Sequence, residues 1–325
     1  MRDNDIFDAR NVAARWSSVT RHTVAVGYSR WLGHLNQRGQ LKGHPADRVT
    51  PDVVADYVEH LKSTVRPTTV YNYVRHLCDA VRAMAPDQDW RWLRSIVTDL
   101  GHGLLATRRF KPVIPAEKFR ALGFDLMGRA DDGAGLKNVE RAITYRDGLM
   151  IALLATRPLR RKNFANLRLD KHLTKAGGRW SLQIPAEETK GGHPFEAGLP
   201  HELDRPMDRY IRVYRPRILG LSGRNYLWTS QTGKPLKNGG VYAAIARRTR
   251  DAFGLSYGPQ DFRVSAATTI AISDPANIHT ASLVLGHIYE GTTEKWYNRA
   301  RTIDASRRYQ IHLDALRTRL HVMSG

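Results

Sequence analysis

YRDGLMIALLATRPLRRKNFANLR, residues Tyr145 to Arg168, is the stretch on which the reading of this chain turns. Tyr145 to Thr156 reads as an apolar helix, with an unbroken apolar run from Gly148 to Ala155. That run is far too short to cross a bilayer. Behind it stand Arg157, Arg160, Arg161 and Lys162. Taken alone, such a cluster is an ordinary solvated face.

Working towards the N-terminus, the pattern is helical. Thr50-Pro51 is a helix start, a hydroxyl at the cap and proline at the first helical position. Val54, Tyr57, Val58 and Leu61 follow at helical spacing. A further helix after Pro67 aligns Val70, Val74, Leu77, Val81 and Met84, with Cys78 on the same stripe. An earlier segment, His22 to Gln37, carries Val26, Trp31 and Leu35, and Trp90 and Trp92 belong to the last helix of this bundle. Gly101, Gly103, Pro112 and Pro115 break the pattern around the basic run Arg108-Arg109-Phe110-Lys111. We therefore expect a helical domain over 1–104, a basic linker over 105–116 and a second domain over 117–325.

The second domain mixes helix and strand. Trp180 to Ile184 alternates like a strand, Phe195 to Leu199 is its candidate partner, and Lys190-Gly191-Gly192 turns between them. Tyr242 to Phe253 is a basic amphipathic helix. Tyr309, Leu313, Leu316 and Leu320 mark one more amphipathic helix near the end. The fold class expected is mainly α with a small β-sheet.

Composition narrows the function. Among 325 residues the formal charge is +20, and 42% are hydrophobic, so the chain can build cores and seeks a polyanion. One cysteine, Cys78, leaves no intramolecular disulfide and no cysteine-based metal cage; a buried thiol in a reducing cytoplasm is the expectation. The polar start Met1 to Asp5 lacks a signal-peptide core.

The polyanion most often met by so basic a chain is nucleic acid, and cutting its phosphodiester without a metal sets definite demands. It calls for fixed cations on the non-bridging oxygens, a proton donor for the leaving oxygen and an activated nucleophile. Arg160 sits in the stretch quoted above. Pro185 to Gly192 (PAEETKGG) carries Lys190, and Gln260 to Thr269 (QDFRVSAATT) carries Arg263. Leu285-Gly-His287 follows, and Tyr297 stands in Thr292 to Ala300 (TTEKWYNRA). These five segments, in this order, resemble the tyrosine recombinase (phage integrase) family over roughly residues 140 to 300.

The resemblance implies an N-terminal helical (SAM-like) DNA-clamping domain and a mixed α/β catalytic domain. It implies double-stranded DNA as partner, a tetramer on synapsed DNA from a protein monomeric in solution, helper recombinases as further candidate partners, no membrane and no cofactor. A cytoplasmic, nucleoid-associated location follows. Arg160 and Arg263 would hold the phosphate, Lys190 would protonate the leaving oxygen, His287 would assist, and Tyr297 would attack. Tyr289 is the rival tyrosine.

Two positions depart from the family pattern. Gln260 stands where a histidine is usual; its amide can donate to phosphate but cannot act as a base. Asn163 stands where an acid is common. These departures keep open a catalytically weakened accessory DNA-binding protein, and a swivelling topoisomerase is a third reading. Arg66, Arg75, Arg82, Arg108, Arg109 and Lys111 are DNA-contact candidates, with His44 and Lys62 behind them.

Overall fold

The computed structural model describes residues 12–107, 111–133, 135, 137–189, 192–219 and 225–273. The chain divides into two compact units, Met1–Lys111 and Pro112–Gly325. The described residues are mainly helical, with one three-stranded sheet.

The first unit contains α1 (Ser18–Gln37), α2 (Pro51–Thr64), α3 (Pro67–Met84) and α4 (Arg91–Thr107). Ser17 caps α1 by accepting a hydrogen bond from the Thr20 amide at 3.2 Å. Pro51 and Pro67 open α2 and α3, where a missing N–H costs nothing. Trp31, Leu35, Tyr57, Leu61, Val74, Leu77 and Leu93 form the core, with Trp31 edge-on to Tyr57 at 5.1 Å. Cys78 is buried with them, and burial raises its thiol pKa.

Three local expectations change. Val26 is 48% exposed, because α1 buries Val24, Gly27, Trp31, His34 and Leu35 instead. Gly27 is the contact point: a Cβ there would stand 2.4 Å from His76 Cβ on α3. Met84, on the frayed last turn of α3, is 43% exposed. Gly101 and Gly103 do not break the chain, since α4 runs through both to Thr107. Gly101 is a packing residue, its missing Cβ 3.3 Å from the Tyr71 ring. Trp90 precedes α4 and packs beside Trp92 at 6.4 Å.

The second unit is organised by α5 (Ala116–Asp132) and α6 (Asn138–Thr156). Ala142 to Leu154 of α6 are buried on every side, as a helix without a polar face must be. The two helices meet at glycines. A Cβ on Gly148 would lie 2.6 Å from Gly123 O, and one on Gly123 would lie 2.7 Å from Gly148 O. The short α7 (Arg161–Ala165) follows, then β1 (Leu173–Ala176), β2 (Arg179–Ile184) and β3 (Phe195–Gly198).

The sheet is an antiparallel meander in the order β1-β2-β3, with Leu182 opposite Ala197 and Ile184 opposite Phe195. The expected β2–β3 pair is present, and β1 adds an unanticipated third strand through a turn at Gly177 and Gly178, both at positive φ. Then come α8 (Asp204–Arg209), a π-helical turn (Tyr210–Tyr214), α9 (Arg215–Leu219), α10 (Asn238–Phe253) and α11 (Pro259–Ser273). No helix among the described residues is long and apolar enough to cross a membrane. The C-terminal helix read around Tyr309 to Leu320 lies outside the described residues.

Candidate active site

The arginines of the quoted stretch have separate tasks. At the end of α6, Arg157 donates to Gly198 O from Nε (3.1 Å) and Nη2 (2.6 Å), and to Thr156 O from Nη1 (2.9 Å). It fastens the end of β3 to the end of α6. Pro158 and Leu159 are buried, Arg160 is partly buried, and Arg161 and Lys162 are exposed. Arg160 caps α7 with an extended backbone, φ −62° and ψ 139°, which turns the chain from one helix into the next.

Arg263 arrives from α11. Gly258 N donates to Asp261 Oδ2 at 2.8 Å, which fixes the start of that helix. Ser265 Oγ donates to Ile114 O at 2.6 Å, and Phe262 stacks on Phe119 of α5 at 4.2 Å. Arg263 is thereby buried, 5% exposed, and its Nη1 donates to Pro158 O at 2.6 Å, two positions before Arg160. Burial first, and then the charge of Arg160, lower the Arg263 pKa to about 10. It stays cationic at neutral pH, so two like charges are held together. Planar guanidinium forks converging beside the N-terminal half of a helix suit an oxyanion. Gln260 is exposed on the first turn of the same helix.

The segment leading to Lys190 is held by a second cluster. After β2 comes a 3₁₀ turn, Ala186–Glu188. Asn163 Nδ2 of α7 donates to Glu188 O at 3.3 Å. Lys171 Nζ donates to Glu188 Oε1 at 2.5 Å, and His172 Nε2 lies 3.0 Å from Glu188 Oε2. His172 Nδ1 accepts the Arg168 amide at 3.0 Å, while its Nε2, though close to Glu188, makes no hydrogen bond among the described residues. The hydrogen bond from Lys171 holds the Glu188 pKa below its ordinary value, with a smaller contribution from His172. Thr189 Oγ1 donates to Ala186 O at 3.0 Å and to His193 O at 2.8 Å, drawing the two sides of the turn together. Asn163, Lys171, His172 and Glu188 line a cavity of about 330 Å³ with Lys162, Asn166, Arg168 and Tyr226.

The structure therefore brings together Arg160 and Arg263, with Gln260 on the same helix as the latter. Lys190, His287, Tyr297 and the rival Tyr289 lie outside the described residues, as do Arg108 and Arg109. In the first unit Arg66 caps α3, and Arg75 and Arg82 sit two turns apart on that helix. Arg75 Nε is 3.9 Å from Asp79, and Lys62 is tied to Glu59 at 2.7 Å. His44 Nδ1 accepts the Ala46 amide at 3.3 Å, a turn contact. Lys111 is exposed. Glu188 and His172 were not singled out from sequence; only the proximity of Glu188 to the Lys190 turn pointed that way. Among the described residues no group of His, Cys, Asp or Glu is placed to hold a metal ion.

No family model matches the sequence, and no curated protein matches it. Solved structures do match. The XerH site-specific recombinase on palindromic difH, a post-cleavage complex, superposes with a TM-score of 0.61 at 15% identity, over 87% of this chain and 79% of that one. The XerH pre-cleavage complex on difH gives 0.54 at 17%, over 79% and 69%. The Tn1549 transposon integrase with circular-intermediate DNA gives 0.55 at 16%, over 90% and 95%. The chain has the fold of these recombinases.

Proposed function

We propose that the protein cuts and rejoins DNA strands as a tyrosine recombinase, with Tyr297 as nucleophile. The observation that carries this reading is the meeting of Arg160 and Arg263, 105 residues separating Pro158 from the arginine that binds its carbonyl. A buried guanidinium beside a second, partly buried one concentrates positive charge in one place, which suits a ligand of opposite charge. In a recombinase that ligand is the scissile phosphate.

The step balances without an external reagent. The Tyr297 phenol oxygen attacks phosphorus as its proton passes to His287, and the bond from phosphorus to the 5′ oxygen breaks. Lys190 supplies the proton that the 5′ oxygen takes up. Arg160 and Arg263 meet the charge growing on the non-bridging oxygens, a contribution that exists mainly in the transition state. His287 hydrogen-bonds the phosphate, and Gln260 offers an amide N–H where a base is not needed. The 3′-phosphotyrosyl bond keeps the bond energy, so a 5′-hydroxyl from another strand reseals it. As read, the step uses side chains alone. A charge of +20 makes phosphate contacts the main source of affinity, which falls steeply with salt. Assembly as a tetramer on synapsed DNA, and integration or transposition of a mobile element, belong to the same proposal.

The test is covalent trapping. Wild type and Tyr297→Phe are expressed with candidate target DNA, denatured, and protein-bound DNA is sequenced. DNA joined through a 3′ end to wild type alone is expected. Salt-sensitive binding from both proteins with no covalent product would instead favour an accessory DNA-binding role, for which Gln260 is the feature to examine.

A further inference from the structure

We propose that Asn163 and Glu188 form a positioning device for the proton-donating lysine, and that Asn163 works as an amide rather than as a degraded acid. The inference rests on the reading of Lys190 given above. Lys190 follows Glu188 by two residues, and Glu188 is the best-anchored residue of that turn. Its main-chain oxygen accepts from Asn163 Nδ2 and its Oε1 accepts from Lys171 Nζ, with His172 Nε2 3.0 Å from Oε2. One residue thus ties the turn to α7, whose cap is Arg160, and to the segment entering β1. Arg160 and the 3₁₀ turn that precedes Lys190 share one frame.

The chemistry at Asn163 is decided by its partner. A main-chain carbonyl accepts and cannot donate, so only a side chain with an N–H satisfies it. An aspartate there would set a carboxylate against that carbonyl, beside the carboxylate of Glu188. Restoring the acid common in relatives should therefore damage this protein. Asn163→Asp and Glu188→Gln are near-isosteric, so each removes one link with little change in volume.

Two measurements test this. The first is hydrogen exchange in the free protein, independent of DNA. The amides of Glu188 and Thr189, bonded to Pro185 O and Ala186 O at 3.1 Å each, should exchange about tenfold faster in both variants, while α6 stays unchanged. Unchanged exchange in this turn overturns the proposal. The second uses duplex bearing the trapped cleavage site, with the 5′ bridging oxygen either normal or replaced by sulfur. A thiolate leaves without needing a proton. Asn163→Asp and Glu188→Gln should slow covalent capture on normal DNA by about tenfold to a hundredfold and return to near wild type on the sulfur substrate. Lys190→Ala is the control. Rescue of Lys190→Ala without rescue of the two variants overturns the positioning role and leaves the acid in place. No rescue of Lys190→Ala overturns the reading of Lys190, and this inference with it.

Discussion

Two clusters of arginine in the second unit are put together in opposite ways. At Asp147 one fully buried carboxylate collects three guanidinium groups. Arg146 donates to Oδ1 from Nε (3.1 Å) and Nη2 (2.7 Å), while Arg248 Nε (3.0 Å) and Arg247 Nη2 (3.2 Å) donate to Oδ2. Arg146 and Arg248 also reach Thr229 O and Thr144 Oγ1. On α11, Arg263 has another cation, Arg160, as its neighbour, and its pKa falls because of its burial first and that charge second. The first cluster is complete as folded. In the second, burial and then the neighbouring Arg160 charge lower the proton affinity of Arg263. Burial is common to both clusters; what differs is the sign of the neighbouring charge.

Asp147→Asn attacks the comparison hardest. It leaves Arg146 buried beside two further cations, and stability should fall by about 3–5 kcal/mol in chemical denaturation. An unchanged midpoint would mean that the carboxylate does not organise these arginines. Arg263→Lys should do the reverse. The charge survives but the fork is lost, so covalent capture should drop by about 10²–10³-fold while the denaturation curve moves little. A variant that unfolds without a specific loss of capture would place Arg263 with the structural arginines. Arg247→Ala sharpens the first cluster. Its side chain is 58% exposed and Asp147 keeps two other partners, so the cost should stay below about 1 kcal/mol.

Much of the scaffold is legible in the sequence because local chemistry and burial agree. Pro51 and Pro67 mark helix starts, the apolar run to Ala155 marks the central helix, and the alternation at Trp180 to Ile184 marks a strand. β1 is hidden because Leu173 is its one buried residue, so no alternation shows. Gly101 misleads because the same residue type serves as a chain breaker and as a place for a neighbouring ring. At the site, the Arg160 and Arg263 segments are recognisable by pattern, but their contact is tertiary. The Asp147 cluster is half visible as Arg146-Asp147; its other members come from α10, a hundred positions away. His172 carries no sequence signal, since its role depends on which ring nitrogen the Arg168 amide occupies.

Helix α5 supplies none of the side chains assigned to the chemistry, yet it is the gauge against which the arginine pair is set. Gly123 docks α6, whose end delivers Arg160, and Phe119, one helical turn earlier, stacks on Phe262 beside Arg263. Both arginines proposed to hold the phosphate are thus referenced to a single turn of one helix. A methyl group added at Gly123 would act like a shim under one of them, widening the grip without touching either guanidinium. Substitutions along this turn are therefore the place where a recombination rate would be tuned by thickness alone.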